Sequence, residues 1–342
     1  MEINLISDTV TQPTKPMLEA MMSAAVGDDV FKNDPSVNAL EVKAAELFGM
    51  EAALFFPSGT MTNQTAIKLH TNPGDQLICD KDAHVYNYEG GGVSFNSGVS
   101  CKLIDGDRGT ITAEQVEANI NPPDFYHSPL TALVCVENTA NRGGGTCWNF
   151  AELQKIRSVC DAHGLAYHLD GARLWNALVA KDEGPKEYGA LFDSISVCLS
   201  KGLGCPVGSL LLGNKEFIDK AIRVRKILGG GMRQAGYLAA AGIYALDHHI
   251  NRLADDHKKA TEIGETLKTL SIIKSIAPIE TNIIIFELDE TLISAPQFLE
   301  NLQQDGIHLI GMGQGKLRIV THMDYTDAMH QRLLAVLRKK YA

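Results

Sequence analysis

The chain has 342 residues, 45% hydrophobic and 21% charged, enough for a large and a small domain whose cores need no covalent staples. Its net charge of −10 disfavours nucleic acid or an anionic membrane as the main partner, so any anion site must rest on local basic groups. No apolar run approaches the ~18 residues that would mark a membrane-spanning segment.

In chain order, short β-branched runs predict strands over Ala53–Phe56, Gln76–Cys79, Cys101–Ile104, Ala132–Val136, Ala166–Leu169, Ser194–Leu199 and Ser209–Leu212. Helical patterns such as Phe150–His163 lie between several of them. The alternation predicts an α/β fold, with a large domain over residues 1–250 built on a mainly parallel sheet covered by helices. Beyond Ile250 the pattern changes. Asn251–Leu270 reads as a polar helix, Asn282–Leu288 as a strand, Pro296–Asp305 as a helix, Lys316–Val320 as a strand and Asp327–Lys340 as a helix. These predict a smaller C-terminal α+β domain over residues 251–342. The seven cysteines are scattered, with no C-x-x-C pair, and several sit in apolar runs such as Leu133–Val136. They read as small hydrophobes in a reducing, cytoplasmic setting, without a disulfide framework or structural zinc. The opening MEINLISDTVTQPT lacks the basic and apolar regions of a signal peptide.

Three constellations carry chemistry. Lys201 follows the apolar run that begins at Ser194, with Gly202 and Gly204 just beyond. A lysine at a strand's C-terminal end faces the crevice where α/β sheets bind ligands, and a lowered pKa would free its amine for a Schiff base. Taken alone it reads as an exposed loop lysine. Asp170 ends the next run, Ala166-Tyr-His-Leu-Asp, with Arg173 three residues on. Alone it reads as an Asp-Gly turn or a helix cap. Beside Lys201 it supplies the acid that pyridoxal 5′-phosphate (PLP) needs at its ring nitrogen. Ser58-Gly59-Thr60 opens a helix after a strand broken at Pro57, which suits either a phosphate or plain capping.

Weaker signals surround these. His84 could stack on a planar cofactor and exchange protons, or be an ordinary hydrogen-bonded histidine. Arg318, inside a strand, is either a carboxylate clamp or an outward-facing residue. Arg223, Arg225, Lys226 and Arg233 cluster around three glycines, which suits a phosphate, a subunit interface or a solvated basic helix. His248, His249 and His257 read as a polar helix face, because no acid or cysteine completes a metal site. The glycine patterns Gly202–Gly208 and Gly311–Lys316 miss the dinucleotide and P-loop fingerprints and read as turns.

Together these pieces resemble the L-threonine aldolases among the PLP enzymes of aspartate-aminotransferase-like fold. The match includes SDTVTQPT at Ser7–Thr14, VGDDVF at Val26–Phe31, PSGTMTNQ at Pro57–Gln64 and ENT at Glu137–Thr139. It continues with HLDGAR at His168–Arg173, LSKGLGCPVGS at Leu199–Ser209, LGGGMRQAG at Leu228–Gly236 and LRIVTH at Leu317–His322. The resemblance implies that Lys201 is the Schiff-base lysine, Asp170 the partner of the ring nitrogen and His84 the residue stacked on the ring. It implies phosphate contacts from Ser58, Gly59 and Thr60, and from Arg233 and Lys226 of a neighbouring subunit in a homotetramer. Ser7, Arg173 and Arg318 become the substrate-carboxylate site, with Arg173 also near the cofactor, and His127 lies near the substrate's side chain. The implied reaction is retro-aldol cleavage of threonine, allo-threonine or related β-hydroxy-α-amino acids to glycine and an aldehyde, with no metal. His84, His127 and an ordered water remain open as the base. β-Elimination, racemisation or transamination on the same scaffold are the alternatives. Two departures from the family pattern are Ala140, where histidine is usual, and Leu130, where arginine is usual.

Overall fold

A computed structural model describes residues 1–341. All seven strands expected in the first 250 residues lie in one sheet. Its spatial order is Ala52–Phe56, Ser209–Gly213, Ser194–Cys198, Ala166–Gly171, Thr131–Glu137, Gln76–Asp80 and Ser100–Ile104. Only Ser209–Gly213 runs against its neighbours, so the sheet is mixed but mostly parallel. Every residue of Ser194–Cys198 and Gln76–Asp80 is buried, which is why they read as unbroken runs rather than alternating ones.

Alternation along the strands divides the core between the two faces. Leu54, Phe56 and Leu211 pack with Ala66, Ile218 and Ala221 from the helices Gly59–His70 and Lys215–Ile227. Ala53, Phe55, Leu210 and Leu212 belong to the opposite core, with the helices Pro35–Phe48 and Gly236–His248. The helix Phe150–His163 has the bounds expected from its pattern; Asn149 caps its start and Gly164 its end.

The C-terminal region forms a four-stranded antiparallel sheet in the order Ile310–Gly313, Lys316–Val320, Ile283–Leu288 and Ile273–Ile276. Its apolar side meets the helices Leu253–Lys268, Ala295–Gln303 and Asp327–Tyr341. The sequence reads Gly311–Lys316 as a turn. The structure confines the reversal to Gln314-Gly315, both at positive φ, and makes Ile310–Gly313 a strand. Glycines give such a strand no side-chain alternation to read. We propose the division near residue 250 with one exception. Ile3–Asn4 pairs in parallel with Ile307–His308, and Ile3 and Leu5 sit in the second core.

Two groups of polar residues are structural rather than solvated. His249 is buried and pairs through Nδ1 with Leu203 O at 2.7 Å, and His257 meets Asn176 at 3.0 Å. Two of the three histidines expected on a polar helix face therefore pack on the loop after Lys201 and on the helix Leu174–Lys181, while His248 stays exposed. Arg225 also leaves the expected basic cluster. It is buried, donates to Phe55 O at 2.6 Å and pairs with the buried Asp29 at 2.8 Å. Arg225→Ala would strand that carboxylate, so we expect a loss of about 3–5 kcal/mol in denaturant unfolding. A loss under ~1 kcal/mol would show that the pair contributes no more than a surface salt bridge.

Candidate active site

Parallel strands place their C-terminal ends along one edge of the sheet. Glu137, Asp170 and Ser196 lie side by side there in register. Lys201 follows three residues after the end of Ser194–Cys198, and its Nζ donates to Cys198 Sγ at 3.2 Å. The helix Gly59–His70 starts beside the same strand, with Ser58 accepting from Met61 N. A Cβ at position 59 would sit 2.6 Å from Cys198 Sγ. Glycine there lets the helix N-terminus, with its free N–H groups, come close to the lysine strand. Ser58 and Thr60 are exposed at that terminus.

Asp170 is the informative residue. It is 1% exposed; Oδ1 accepts from Ala172 N at 3.1 Å, and Oδ2 has no partner in the chain. An orphaned carboxylate oxygen in so dry a place calls for a donor from outside the protein. A protonated ring nitrogen is such a donor, so these residues fit PLP. His84, Glu89 and Asp170 present ligand atoms within 4.8 Å of one another, a spacing that could also hold a metal ion. The neighbouring amine and helix N-terminus suit an organic phosphate better.

His84 is held by two carboxylates. Its backbone N–H donates to Glu137 Oε2 at 2.8 Å, and its Nδ1 meets Glu89 Oε1 at 3.0 Å. Glu89 is buried and also accepts from Asn63 Nδ2 at 2.9 Å and Gln64 Nε2 at 2.6 Å. With the Glu89 carboxylate as the acceptor, His84 carries a proton on Nδ1 and leaves Nε2 free. Burial alone would lower the His84 pKa; the Glu89 bond and the Asp170 charge outweigh it and raise the pKa. Burial, and then the Asp170 charge, push the Glu137 carboxyl up to about 7. The sequence reading missed Glu89 altogether and had Glu137 only as part of a motif. The one local signal for Glu89 was its place five residues after His84, on the turn that ends in Gly90-Gly-Gly.

The residues expected to hold a substrate carboxylate come from opposite ends of the chain. Arg318 donates through Nη1 to Asn141 Oδ1 at 2.9 Å and through Nη2 to Ile6 O at 3.1 Å, next to Ser7; its Nε has no partner. Arg173 is placed differently from the expectation of a free fork. Its Nε and Nη2 pair with Asp8 at 2.8 and 2.7 Å, both groups being buried, which leaves Nη1 as its one nitrogen without a partner in the chain. Burial would raise the Asp8 carboxyl, but Arg173 more than offsets it and holds it down at about 2. Burial, and then repulsion from Arg173, push the Arg318 guanidinium down. Two cations that repel each other in a half-buried place are relieved by an anion between them.

Three expected residues are not brought to Lys201 within one chain. Lys226 is exposed, Arg233 is 56% exposed and pairs with Asp28 at 2.8 Å, and His127 lies exposed among Phe125 and Tyr126. The departures from the family pattern also have places. Ala140 is buried, and its methyl lies 2.6 Å from where a Cβ on Gly109 would fall, so alanine at 140 packs on a glycine at 109. Leu130 is exposed and precedes the strand Thr131–Glu137, so the length of that strand separates it from Glu137.

A lysine, an orphaned aspartate and a helix N-terminus on the C-terminal edge of a mostly parallel sheet define a PLP-dependent enzyme. Residues 4–291 match the family described as Beta-eliminating lyase. The chain is 42% identical to the low specificity L-threonine aldolase of Escherichia coli K12, over 94% of each chain. It is 42% identical to low-specificity L-threonine aldolase 1 of Arabidopsis thaliana, over 95% of this chain and 92% of that one. The fold matches the threonine aldolase of Leishmania major with a TM-score of 0.85 at 22% identity, over 98% of this chain and 99% of that one. The chain belongs to the beta-eliminating lyase family, and within it to the low-specificity L-threonine aldolases. It is a lyase whose cofactor is PLP.

Proposed function

We propose that the protein cleaves L-threonine, L-allo-threonine and related β-hydroxy-α-amino acids to glycine and an aldehyde. The observation that carries the site assignment is the unpaired Oδ2 of buried Asp170, on the strand next to the one that leads to Lys201. The Lys201 amine would hold PLP there, and the bound ring would supply an electron sink for the pair released at the substrate's α-carbon. Asp170 keeps the ring nitrogen protonated. The N–H groups of Gly59 and Thr60, with the Ser58 and Thr60 hydroxyls, hold the phosphate.

Arg318, with Ser7 and Arg173 Nη1 beside it, holds the substrate carboxylate. Binding it from two domains fixes rotation about the α-carbon and selects which bond breaks. His84 Nε2 takes the proton of the β-hydroxyl, because Nδ1 is already committed to Glu89. As that proton leaves, the Cα–Cβ bond breaks and the aldehyde departs. The α-carbon then takes a proton, and glycine is released.

We assign the rest of the site to a second copy of the chain in a homotetramer. Lys226 and Arg233 are exposed beside Ile227 and Phe31, themselves 76% and 70% exposed. A basic, apolar surface of this kind fits a neighbouring subunit's phosphate site, and His127 on its exposed loop would then border the substrate's side chain. Arg233→Ala should weaken PLP retention about tenfold or more, the worth of one charge-assisted contact, as measured by absorbance on dilution. A fully active, sedimenting monomer would contradict the shared site. Among the described residues no helix is long and apolar enough to cross a membrane.

The clamp predicts a preference for free carboxylates. Lysine keeps the charge of Arg318 but loses the fork, so Arg318→Lys should lower kcat/KM for threonine about tenfold or more. Threonine amide should be a poor substrate of the parent enzyme. Steady-state assays of both substrates on both proteins test this; equal cleavage of acid and amide would remove Arg318 from the clamp.

A further inference from the structure

Behind His84 a line of buried polar groups runs under the helix Gly59–His70 to the far end of the sheet. Asn63 Nδ2 donates to Glu89 Oε1 at 2.9 Å. Asn63 Oδ1 accepts from Ser196 Oγ at 2.6 Å and meets His168 Nε2 at 3.1 Å. His168 Nδ1 meets Ser194 Oγ at 2.8 Å, and Ser194 Oγ meets His70 Nε2 at 2.7 Å. Asn63, His168, Ser194 and Ser196 are all at most 2% exposed. Nothing in the reaction as described uses them.

The donor and acceptor roles along this line follow from one end. Glu89 only accepts, so the amide nitrogen of Asn63 must face it. The amide oxygen then faces inward, and His168 must donate to it from Nε2. In a neutral His168 the Nδ1 then accepts, Ser194 donates to it, and His70 donates to Ser194. With both imidazoles neutral, every contact along the line pairs a donor with an acceptor. Burial accordingly lowers the pKa of His168 to about 3 and of His70 to about 4.

We propose that Asn63 is a positioning residue for the reaction, tethered by neutral His168 and Ser196, and that its bond to Glu89 sets the orientation and basicity of His84. Helix and sheet are thereby coupled through one amide to the group that handles the substrate's proton. Four groups face His84: the Glu89 and Asp170 carboxylates, Glu137 through the backbone N–H, and the Tyr88 ring at 5.6 Å. Of these, Asn63 acts on Glu89. Removing its N–H leaves the Glu89 carboxylate less dispersed and a stronger base, so His84 should hold its proton to higher pH. Tethering by His168 needs only a donor at Nε2, which a glutamine amide also provides.

The test rests on the reading of His84 as proton acceptor and uses the PLP-loaded enzyme. Isotope-labelled histidine NMR follows the His84 titration, assigned with His84→Asn, alongside the pH profile of kcat/KM for threonine. Asn63→Ala should move the His84 titration to higher pH and lower kcat about tenfold, with KM nearly unchanged. His168→Leu should move it the same way by less, and His168→Gln should restore the parent titration. If Asn63→Ala does not fold, His168→Leu and His168→Gln carry the comparison. A folded Asn63→Ala, or in its absence a folded His168→Leu, that titrates like the parent overturns the proposal, whatever its melting temperature. If the parent itself does not cleave threonine, the functional reading fails, while the titration still decides the coupling.

Discussion

Lys201→Ala is expected to abolish cleavage of threonine, lowering kcat/KM by about three orders of magnitude or more. The structure makes this lysine hard to replace. It sits on a glycine-flanked loop at the mouth of a buried strand, and its amine reaches Cys198 Sγ, the same sulfur on which Gly59 closes. Amine and helix N-terminus are thereby fixed on one side of the crevice. Borohydride treatment of the parent should fix the pyridoxyl group to Lys201, found by peptide mass spectrometry. The variant should fix none. Labelling of another lysine would overturn the assignment.

Asp170→Asn should lower kcat by about 10²–10³-fold, comparable to removing one preorganised electrostatic contact in a dry site. Asparagine keeps the Oδ1 acceptor for Ala172 N but can turn an N–H₂ toward the ring nitrogen, opposing its protonation. The variant should still bind PLP, because Lys201 and the phosphate cradle are untouched. Stability gives a separate reading in the cofactor-free protein. Glu137 is raised from 4.5 to about 7 by burial and then by the Asp170 charge. A raised carboxyl pKa favours the folded state while protonated, so stability should fall as pH rises from about 4.5 through about 7. Asp170→Asn removes one of the two causes and should flatten that fall in denaturant titrations. A steep variant curve, or parent-like kcat, would contradict the role given to Asp170.

Much of this fold was legible because parallel strands buried on both faces leave unbroken apolar runs that few other structures produce. The strands that end in Asp170 and lead to Lys201 read as neighbours from their apolar runs, and they pair in register. Partners brought together only by the fold were not legible. Asp8 meets Arg173 across 165 positions and Asp29 meets Arg225 across 196, so one arginine expected at the substrate carboxylate and another expected in a basic cluster are both held by acids. Glu89 takes donors from 25 and 26 positions away on a helix, which no local spacing announces. The strand Ile310–Gly313 was hidden by its glycines, and His249 by the polarity of its neighbours. Conversely, residues assigned to the site by resemblance, such as Arg233 and His127, lie exposed in the single chain.

The central claim is that bond cleavage occurs between the α- and β-carbons. Product analysis of the purified, PLP-loaded enzyme with L-threonine tests it most directly. Glycine and acetaldehyde should appear in equal amounts as threonine disappears, with neither formed by Lys201→Ala. Ammonia and 2-oxobutanoate in place of glycine and acetaldehyde would mean β-elimination at the same site, and would contradict the account.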